Sequence, residues 1–263
     1  MNLGASLLKA PMVATDISVG EHFTTKVGGL TLNLDTCWAT IVALLIVFLF
    51  GFMLRRRLTS GVPGKFQLAW EMGLEAVKKQ VDDSIGPRGA YIVPLALALF
   101  VFIIICNFFE VLGIGAKYEF LPAPTGDINL PLAMALYVIV LVHLASIRNR
   151  GIVGYVKHYV SRPFSLWLMP VNLFMNVVDE IVKPVTLTLR LFGNLLAGGL
   201  MLSLLVALCE WKFGSVPIGS ILSVPVTVIW KLFDLGIGAI QAFIFALLAI
   251  LYFDVAMAQD EAH

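Results

Sequence analysis

Five long apolar stretches constrain the fold of this chain more than any other feature of its sequence. Residues 37–54 carry no charge and end at three consecutive arginines, and residues 128–147 carry none before Arg148. A helix needs about 20 apolar residues to cross a hydrocarbon core of about 30 Å. With 59% hydrophobic and only 13% charged residues, the chain has more apolar surface than a soluble domain of its size can bury. We therefore predict an all-α integral membrane protein.

The stretches differ in length, and this difference predicts two kinds of span. The predicted spans are residues 37–54, 91–110, 128–147, 171–209 and 218–254. At a rise of 1.5 Å per residue, each of the last two would measure roughly 55 Å, nearly twice the hydrocarbon core. We therefore expect two long tilted helices, with Pro184 and Pro225 as sites where they could kink.

The segments between the spans add one further predicted helix. Residues 66–81 place apolar side chains on one helical face and Glu and Lys on the other, which predicts an amphipathic helix on the membrane surface. A solvated connector helix is the alternative. Because no internal repeat or linker is visible, residues 1–263 are interpreted as a single membrane domain, with residues 1–36 forming an extracytoplasmic N-terminal segment.

Basic residues are distributed unevenly between the two sides of the predicted bundle. Seven Lys or Arg lie between Arg55 and Arg88, and four lie between Arg148 and Arg162. The segments on the opposite side contain only four. Since cytoplasmic loops carry the excess of Lys and Arg, this bias places the N-terminus outside and the C-terminus, with its acidic tail, in the cytoplasm.

Arg190 is the strongest functional candidate because it lies inside the fourth apolar stretch. An ionisable residue within a span is costly and indicates function by default. A guanidinium group stays protonated, so it attracts a carboxylate but cannot pass a proton on. It therefore suits an electrostatic gate. Lys183 and Asn194 share its helical face, and a structural ion pair with Asp234 or Glu110 is the alternative interpretation.

Other polar residues occur at helical spacing in the neighbouring spans. Asp234 and Gln241 are seven residues apart in the last stretch, and Asn107 and Glu110 are three apart near the end of the second. If these faces point inward, they form a polar seam with Arg190 in an otherwise apolar bundle.

Several further charges allow a structural interpretation. Asp179, Glu180 and Lys183 could lie at the level of the lipid headgroups and extend their polar ends toward water, and Lys231 could do the same. His143 is alone in its span and is interpreted as a packed or hydrogen-bonded histidine rather than a metal ligand.

Motifs for nucleotide, cofactor or metal binding are missing from the sequence. There is no GxxxxGK[ST], no GxGxxG between a strand and a helix, and no HExxH. Cys37, Cys106 and Cys209 form no CxxC pair or other metal-binding spacing. We therefore predict no cofactor, no metal, no direct nucleotide binding and no nucleic-acid partner.

Three motifs resemble ATP synthase subunit a. Residues 183–194, Lys-Pro-Val-Thr-Leu-Thr-Leu-Arg-Leu-Phe-Gly-Asn, are similar to the signature around the arginine of that family. Gln-Ala-Phe-Ile-Phe at 241–245 matches its second motif, and Asn-Phe-Phe-Glu at 107–110 is similar to its Asn-x-x-acid element. Glu21-His22 followed by Leu34-Asp35 is typical of bacterial members.

The resemblance implies the stator subunit of the membrane sector of a rotary ATP synthase in a bacterial plasma membrane, with no enzymatic activity of its own. Its partners would be the c-subunit ring, peripheral-stalk b subunits, the ATPase sector and the lipid bilayer. Arg190 would hold a deprotonated ring carboxylate between two proton half-channels. Asn194 and Gln241 match polar residues that flank the arginine, and Asn107 and Glu110 match positions on the outer half-channel.

This chain also departs from the family pattern. Some members carry an ionisable residue five positions after Asn194 and pair it with one seven positions before the glutamine; here these are Gly199 and Asp234. We therefore expect Asp234 to serve the proton path alone. Asn176 replaces an acid often found fourteen residues before the arginine, and Asp179 or Glu180 could compensate for it at the cytoplasmic mouth.

Two other classes of function fit parts of the sequence. A secondary transporter could use Arg190 to bind an anionic substrate, although such proteins usually contain internal repeats and broken helices. A structural membrane scaffold would leave the polar seam unexplained.

Overall fold

The computed structural model of the chain describes residues 24–27, 30–59, 61, 64–112, 122–161, 168–208 and 218–257. Most of the N-terminal segment 1–36, including Glu21 and His22, lies outside these ranges, as do Cys209 and the acidic residues Asp260 and Glu261. Helices account for most of the described residues. Short 3-10 helices at Pro87–Ile92 and Pro124–Gly126 precede two of the long helices. The main elements, in chain order, are β1 (Thr24–Val27), β2 (Leu30–Asn33), α1 (Leu34–Arg57), α2 (Lys65–Ser84), α3 (Val93–Leu112), α4 (Asn129–Ser161), α5 (Met169–Leu208) and α6 (Ile218–Met257).

Five of the described helices, namely α1, α3, α4, α5 and α6, are long and apolar enough to cross a membrane. Their outer surfaces expose large apolar side chains, including Phe48, Phe174 and Ile229. Water would disfavour such a surface, whereas the hydrocarbon core of a bilayer accommodates it. The prediction of an all-α membrane protein with five spans is therefore confirmed.

The two C-terminal helices are the longest, at 40 residues each. A helix of this length measures about 60 Å, so it must tilt or extend beyond a bilayer core of about 30 Å. Pro184 and Pro225 lie inside these helices, and both helices continue through them.

The helical backbone angles are instead interrupted in α4, at Gly151, which has φ 72° and ψ 165°. Glycine adopts this conformation without the steric penalty that a Cβ would bring. At Gly151 the chain turns back toward the preceding part of α4. As a result, the Tyr155 hydroxyl lies 3.0 Å from Nδ1 of His143, twelve residues earlier. This kink was not predicted from the sequence.

The amphipathic helix α2 packs along α3 and α6. Val81 is fully buried beside Val93, Ala96 and Ile250. The opposite side of α2 is exposed and carries most of its charged residues. These contacts agree with the predicted surface helix.

The core lies between α3, α4, α5 and α6. Ile103, Val138, Leu191 and Phe245 are among its buried side chains, one from each helix. Within this core, α3 packs mainly against α6, and α4 packs mainly against α5. The two helix pairs determine which polar side chains can meet inside the bundle.

The two ends of the bundle differ in charge. Arg55 and Arg56 lie near the end of α1, and Arg148 lies in α4 beside the end of α6, where Asn149 Nδ2 donates to the carbonyl of Met257 at 3.1 Å. We call this the basic end. The opposite end, where α1 and α4 begin, is called the Asp127 end.

A short hairpin, not predicted from the sequence, leads into α1 at the Asp127 end. Strands β1 and β2 are antiparallel, with Thr24 opposite Asn33. Asp127 accepts hydrogen bonds from Asn33 Nδ2 at 2.6 Å, Thr36 Oγ1 at 3.0 Å and Asn129 Nδ2 at 2.8 Å. One carboxylate therefore joins the end of the hairpin, the start of α1 and the start of α4.

These contacts determine the charge state of Asp127. Burial by itself raises the pKa of this carboxyl, but hydrogen bonds from the three neighbouring residues outweigh it and hold the pKa below its ordinary value of 3.8. Because the folded pKa is the lower one, the stabilisation is present above pH 3.8. It is lost as the pH falls through the folded pKa.

We predict that Asp127→Asn lowers the free energy of unfolding by about 1–3 kcal/mol at neutral pH, since it removes hydrogen bonds to a charged acceptor. The measurement is thermal unfolding in mild detergent, with Asp83→Asn on the exposed face of α2 as the control. The difference in unfolding midpoint between the variant and wild type should shrink as the pH falls below 3.8. Equal unfolding midpoints for the variant and wild type at neutral pH would contradict the assigned role.

Candidate functional site

Arg190 lies on the outer face of α5. Its neighbour Leu191 is fully buried in the core, whereas Leu189 and Arg190 itself are exposed. Among the residues that the structure describes, no carboxylate lies within salt-bridge distance of Arg190. The alternative in which Arg190 pairs with Asp234 or Glu110 inside the bundle therefore does not occur in this structure.

Two acidic side chains meet inside the bundle on the Asp127 side of Arg190. Asp234 on α6 is 6% exposed, and its carboxyl group lies beside that of Glu110 on α3, since a Cβ on Gly198 would touch an oxygen of each. Asp234 is therefore not alone, because Glu110 supplies the second carboxyl group.

Polar groups from α3 and α6 surround this pair. Asn107 Nδ2 donates to the carbonyl of Gly238 at 2.9 Å, and the Thr125 hydroxyl lies 3.4 Å from Asn107 Oδ1. Lys231 Nζ donates to the backbone carbonyl of Glu110 at 2.6 Å, so this lysine contacts α3 rather than only extending toward the surface. We call Asn107, Glu110, Lys231 and Asp234 the carboxyl cluster.

Two glycines allow the carboxyl cluster to form. A Cβ on Gly198 would lie 2.9 Å from Glu110 Oε1 and 3.0 Å from Asp234 Oδ1. A Cβ on Gly238 would lie 2.9 Å from Asn107 Nδ2. All three distances are shorter than normal contacts, so any larger residue would displace these polar groups.

A second polar cluster lies on the basic side of Arg190, between α4, α5 and α6. His143 Nε2 lies 2.7 Å from Glu180 Oε1. The other oxygen of Glu180 accepts a hydrogen bond from the Tyr159 hydroxyl and lies 3.5 Å from Lys183 Nζ. We call these four residues together with Tyr155 the histidine cluster.

Neighbouring residues complete this second site. Asn176 Nδ2 donates to the backbone carbonyl of Tyr159 at 2.6 Å, and Asp179 is exposed beside Glu180. A cavity of about 270 Å³ is lined by both residues and by the histidine cluster. It is large enough for several water molecules, each of which occupies about 30 Å³ in the liquid.

The partners of His143 could not be predicted from the sequence. This residue was interpreted there as a packed or hydrogen-bonded histidine, and it does form hydrogen bonds, but its partner is an acidic residue of another helix. Nothing in the local sequence of α4 could reveal this pair, because it depends on how α4 packs against α5. The Gly151 kink is equally necessary, since it brings Tyr155 back to the histidine.

The two clusters lie on opposite sides of Arg190 along α5. Glu180 is ten residues before Arg190 and Gly198 is eight after it, which corresponds to about 15 Å and about 12 Å along the helix axis. A charged group on the surface of the bundle thus lies between two internal polar sites.

Gln241 and Asn194 lie near the level of Arg190. Gln241 is seven residues after Asp234, or about 10 Å along α6 toward the basic end. It is 7% exposed, and its Nε2 has no hydrogen-bond partner among the described residues. A buried amide donor normally has a hydrogen-bond partner, and the described residues supply none for this one. Asn194, one turn after Arg190, is partly buried.

Three further glycines, two on α5 and one on α6, have open space where a side chain would lie. A Cβ on Gly193, Gly199 or Gly236 would meet no atom within 4 Å among the described residues. Among all the residues that the structure describes, no group of three His, Cys, Asp or Glu residues could hold a metal ion.

Comparison with known proteins identifies the family. The sequence model described as ATP synthase A chain matches residues 36–254. A protein named ATP synthase subunit a from Acidothermus cellulolyticus is 44% identical over 248 residues, covering 94% of this chain and 85% of that protein. Proteins of the same name from Mycobacterium bovis and Coxiella burnetii are 43% and 38% identical over 96% and 90% of this chain, and 98% and 89% of theirs. The chain therefore belongs to the ATP synthase subunit a family.

Proposed function

We propose that this chain is the stator of a rotary ATP synthase, and that two proton half-channels inside it open toward a c-subunit ring on either side of Arg190. Family membership makes the chain a proton-translocating subunit of the membrane sector, not an enzyme by itself. One observation carries the finer proposal: two internal polar clusters lie on opposite sides of an exposed arginine along a single helix.

The orientation in the membrane follows from the distribution of basic residues. Because cytoplasmic segments carry the excess of Lys and Arg, we assign the basic end to the cytoplasm and the Asp127 end to the outside of a bacterial plasma membrane. The carboxyl cluster then serves the outer half-channel and the histidine cluster serves the cytoplasmic one.

The charge of Arg190 explains how the two half-channels drive rotation. A ring carboxyl group facing lipid is favoured in its neutral form, because a low dielectric medium disfavours charge. Facing Arg190 it is favoured as a carboxylate, so it releases its proton before it passes. Since the guanidinium stays protonated, it blocks direct proton transfer between the clusters. The membrane potential supplies about 2.3 kcal/mol per charge for each 100 mV.

The surface around Arg190 suits a partner made of apolar helices. Leu189, Ile229, Phe233 and Ile240 are all more than half exposed on α5 and α6. Gly193, three residues after Arg190 on α5, leaves room for a side chain of a partner helix, since small residues permit close helix packing. We propose that this face contacts the c ring. Peripheral-stalk b subunits and the ATPase sector complete the complex.

We predict that Arg190→Ala abolishes ATP-driven acidification of inverted membrane vesicles while the c ring still copurifies with the complex. The variant removes the positive charge that attracts the ring carboxylate. Passive proton leak should rise, because the barrier between the half-channels is also lost. Arg55→Ala, at the basic end and remote from both clusters, should pump like wild type. Pumping by Arg190→Ala would refute the gate assignment.

A second prediction concerns the neighbouring carboxyl groups of Glu110 and Asp234. We expect Asp234→Asn and Glu110→Gln each to slow ATP-driven pumping by about tenfold or more, because each removes a group that exchanges protons. If the two groups act as one unit, the double variant should be no slower than the worse single variant. Initial rates of vesicle acidification test this. Wild-type pumping by Asp234→Asn would remove it from the proton path.

A third prediction separates two adjacent glycines on α5. Gly198→Ala places a Cβ against both carboxyl groups, so we expect it to slow pumping, whereas Gly199→Ala enters open space and should pump normally. The two variants add the same methyl group to neighbouring positions of one helix, which makes the second a matched control. Equal pumping by both would show that proton transfer does not require the observed geometry of the carboxyl cluster.

A further inference from the structure

The histidine cluster has the composition of a proton-transfer site. Both ring nitrogens of His143 have partners: Nε2 lies 2.7 Å from Glu180 Oε1, and Nδ1 lies 3.0 Å from the Tyr155 hydroxyl. The hydroxyl of Tyr159 donates to the other oxygen of Glu180. A continuous chain of hydrogen bonds therefore runs from Tyr155 through the imidazole and the carboxylate to Tyr159.

Water can reach the central pair of this chain. The side chains of His143 and Glu180 are 26% and 22% exposed, and both line the cavity of about 270 Å³. The pair thus contacts a space that holds several water molecules. A histidine that served only to pack helices would not require this access.

The cavity is lined by titratable side chains from three helices. From α5, Asp179, Glu180 and Lys183 line the cavity, and from α6 the titratable residue is Tyr252. His143, Tyr155 and Tyr159 come from α4. Of these residue types, histidine is the one that commonly both binds and releases protons in proton-transfer sites.

We propose that His143, paired with Glu180, transfers protons in the half-channel at the basic end. This inference rests on the proposed function and names the group that exchanges protons with the cytoplasm. It also gives the Gly151 kink a role, because the kink holds the Tyr155 hydroxyl against the imidazole.

The transfer conserves one proton at each step. In the neutral imidazole, Nε2–H donates to the Glu180 carboxylate and Nδ1 accepts from the Tyr155 hydroxyl. Cavity water gives a proton to the Tyr155 oxygen as the hydroxyl proton moves to Nδ1, so the tyrosine stays neutral and an imidazolium forms. The imidazolium then passes its Nε2 proton to the Glu180 carboxylate, which releases it to water. Exchange of a proton through cavity water restores the starting tautomer of the neutral imidazole, so no net charge accumulates.

The variant His143→Gln separates this role from a structural one. A glutamine amide can still donate to Glu180 and accept from Tyr155, but it cannot bind a proton near neutral pH. A structural role therefore predicts wild-type pumping by the variant. Proton transfer predicts a loss of about tenfold or more, since positioned acid–base groups contribute factors of 10²–10⁴.

The experiment measures initial rates of ATP-driven acidification in inverted vesicles as a function of the pH of the medium, which bathes the basic end directly. We expect the wild-type rate to fall as the medium becomes alkaline. We expect His143→Gln to be slow and to lose this dependence. Leu144→Ala, an exposed neighbour on α4, should keep both the rate and the pH profile of wild type.

Two outcomes would overturn the inference about His143. Both differ from the outcome that would refute the stator function, which is pumping by Arg190→Ala. A wild-type rate and pH profile in His143→Gln would remove His143 from the path, even where Arg190→Ala abolishes pumping. If His143→Gln does not assemble with the c ring, Tyr155→Phe decides instead, because it keeps the ring packing and removes only the hydroxyl. A slower rate with a shifted pH profile supports the inference, and an unchanged profile overturns it.

Discussion

The position of one permanently charged group in an apolar environment organises the whole structure. Placing an arginine near the centre of a membrane helix costs about 2.5–3.5 kcal/mol even on the mildest scale. In this chain Arg190 is exposed on α5, and no carboxylate among the described residues compensates it. A charge in this position would be stabilised by a partner that brings an opposite charge, as the proposed ring of carboxyl groups would. The two internal polar clusters lie on either side of this charge along α5.

Glycines have two different roles around this charge. Gly198 and Gly238 lie against the polar side chains of α3, and their lack of a Cβ lets the Glu110 and Asp234 carboxyl groups meet between three helices. At Gly193 and Gly236, by contrast, a Cβ would meet open space. The same residue type therefore permits close packing of polar groups inside the bundle and leaves room for a partner helix in the proposed complex.

The histidine cluster at the basic end depends on a helix kink rather than on glycines that permit close packing. The left-handed conformation of Gly151 interrupts α4 and returns its last turns, so that two tyrosines contact a histidine–glutamate pair formed across the α4–α5 interface. Each side of Arg190 thus has its own internal polar site, one built from close helix packing and one from a kink. The two sites contain different titratable groups, as expected where protons bind on one side of a barrier and are released on the other.

The sequence by itself determined the membrane fold and the central residue. Apolar stretches of about 20 or about 40 residues leave few alternatives to spanning helices, and an arginine within one of them is rare enough to indicate function. Only the tertiary structure decided which polar groups meet. Glu110 and Asp234 are 124 positions apart in the chain, and the pairing of His143 with Glu180 depends on helix packing and on one glycine conformation. Helical spacing shows which residues share a face of one helix, but contacts between helices are set by the packing of the whole core.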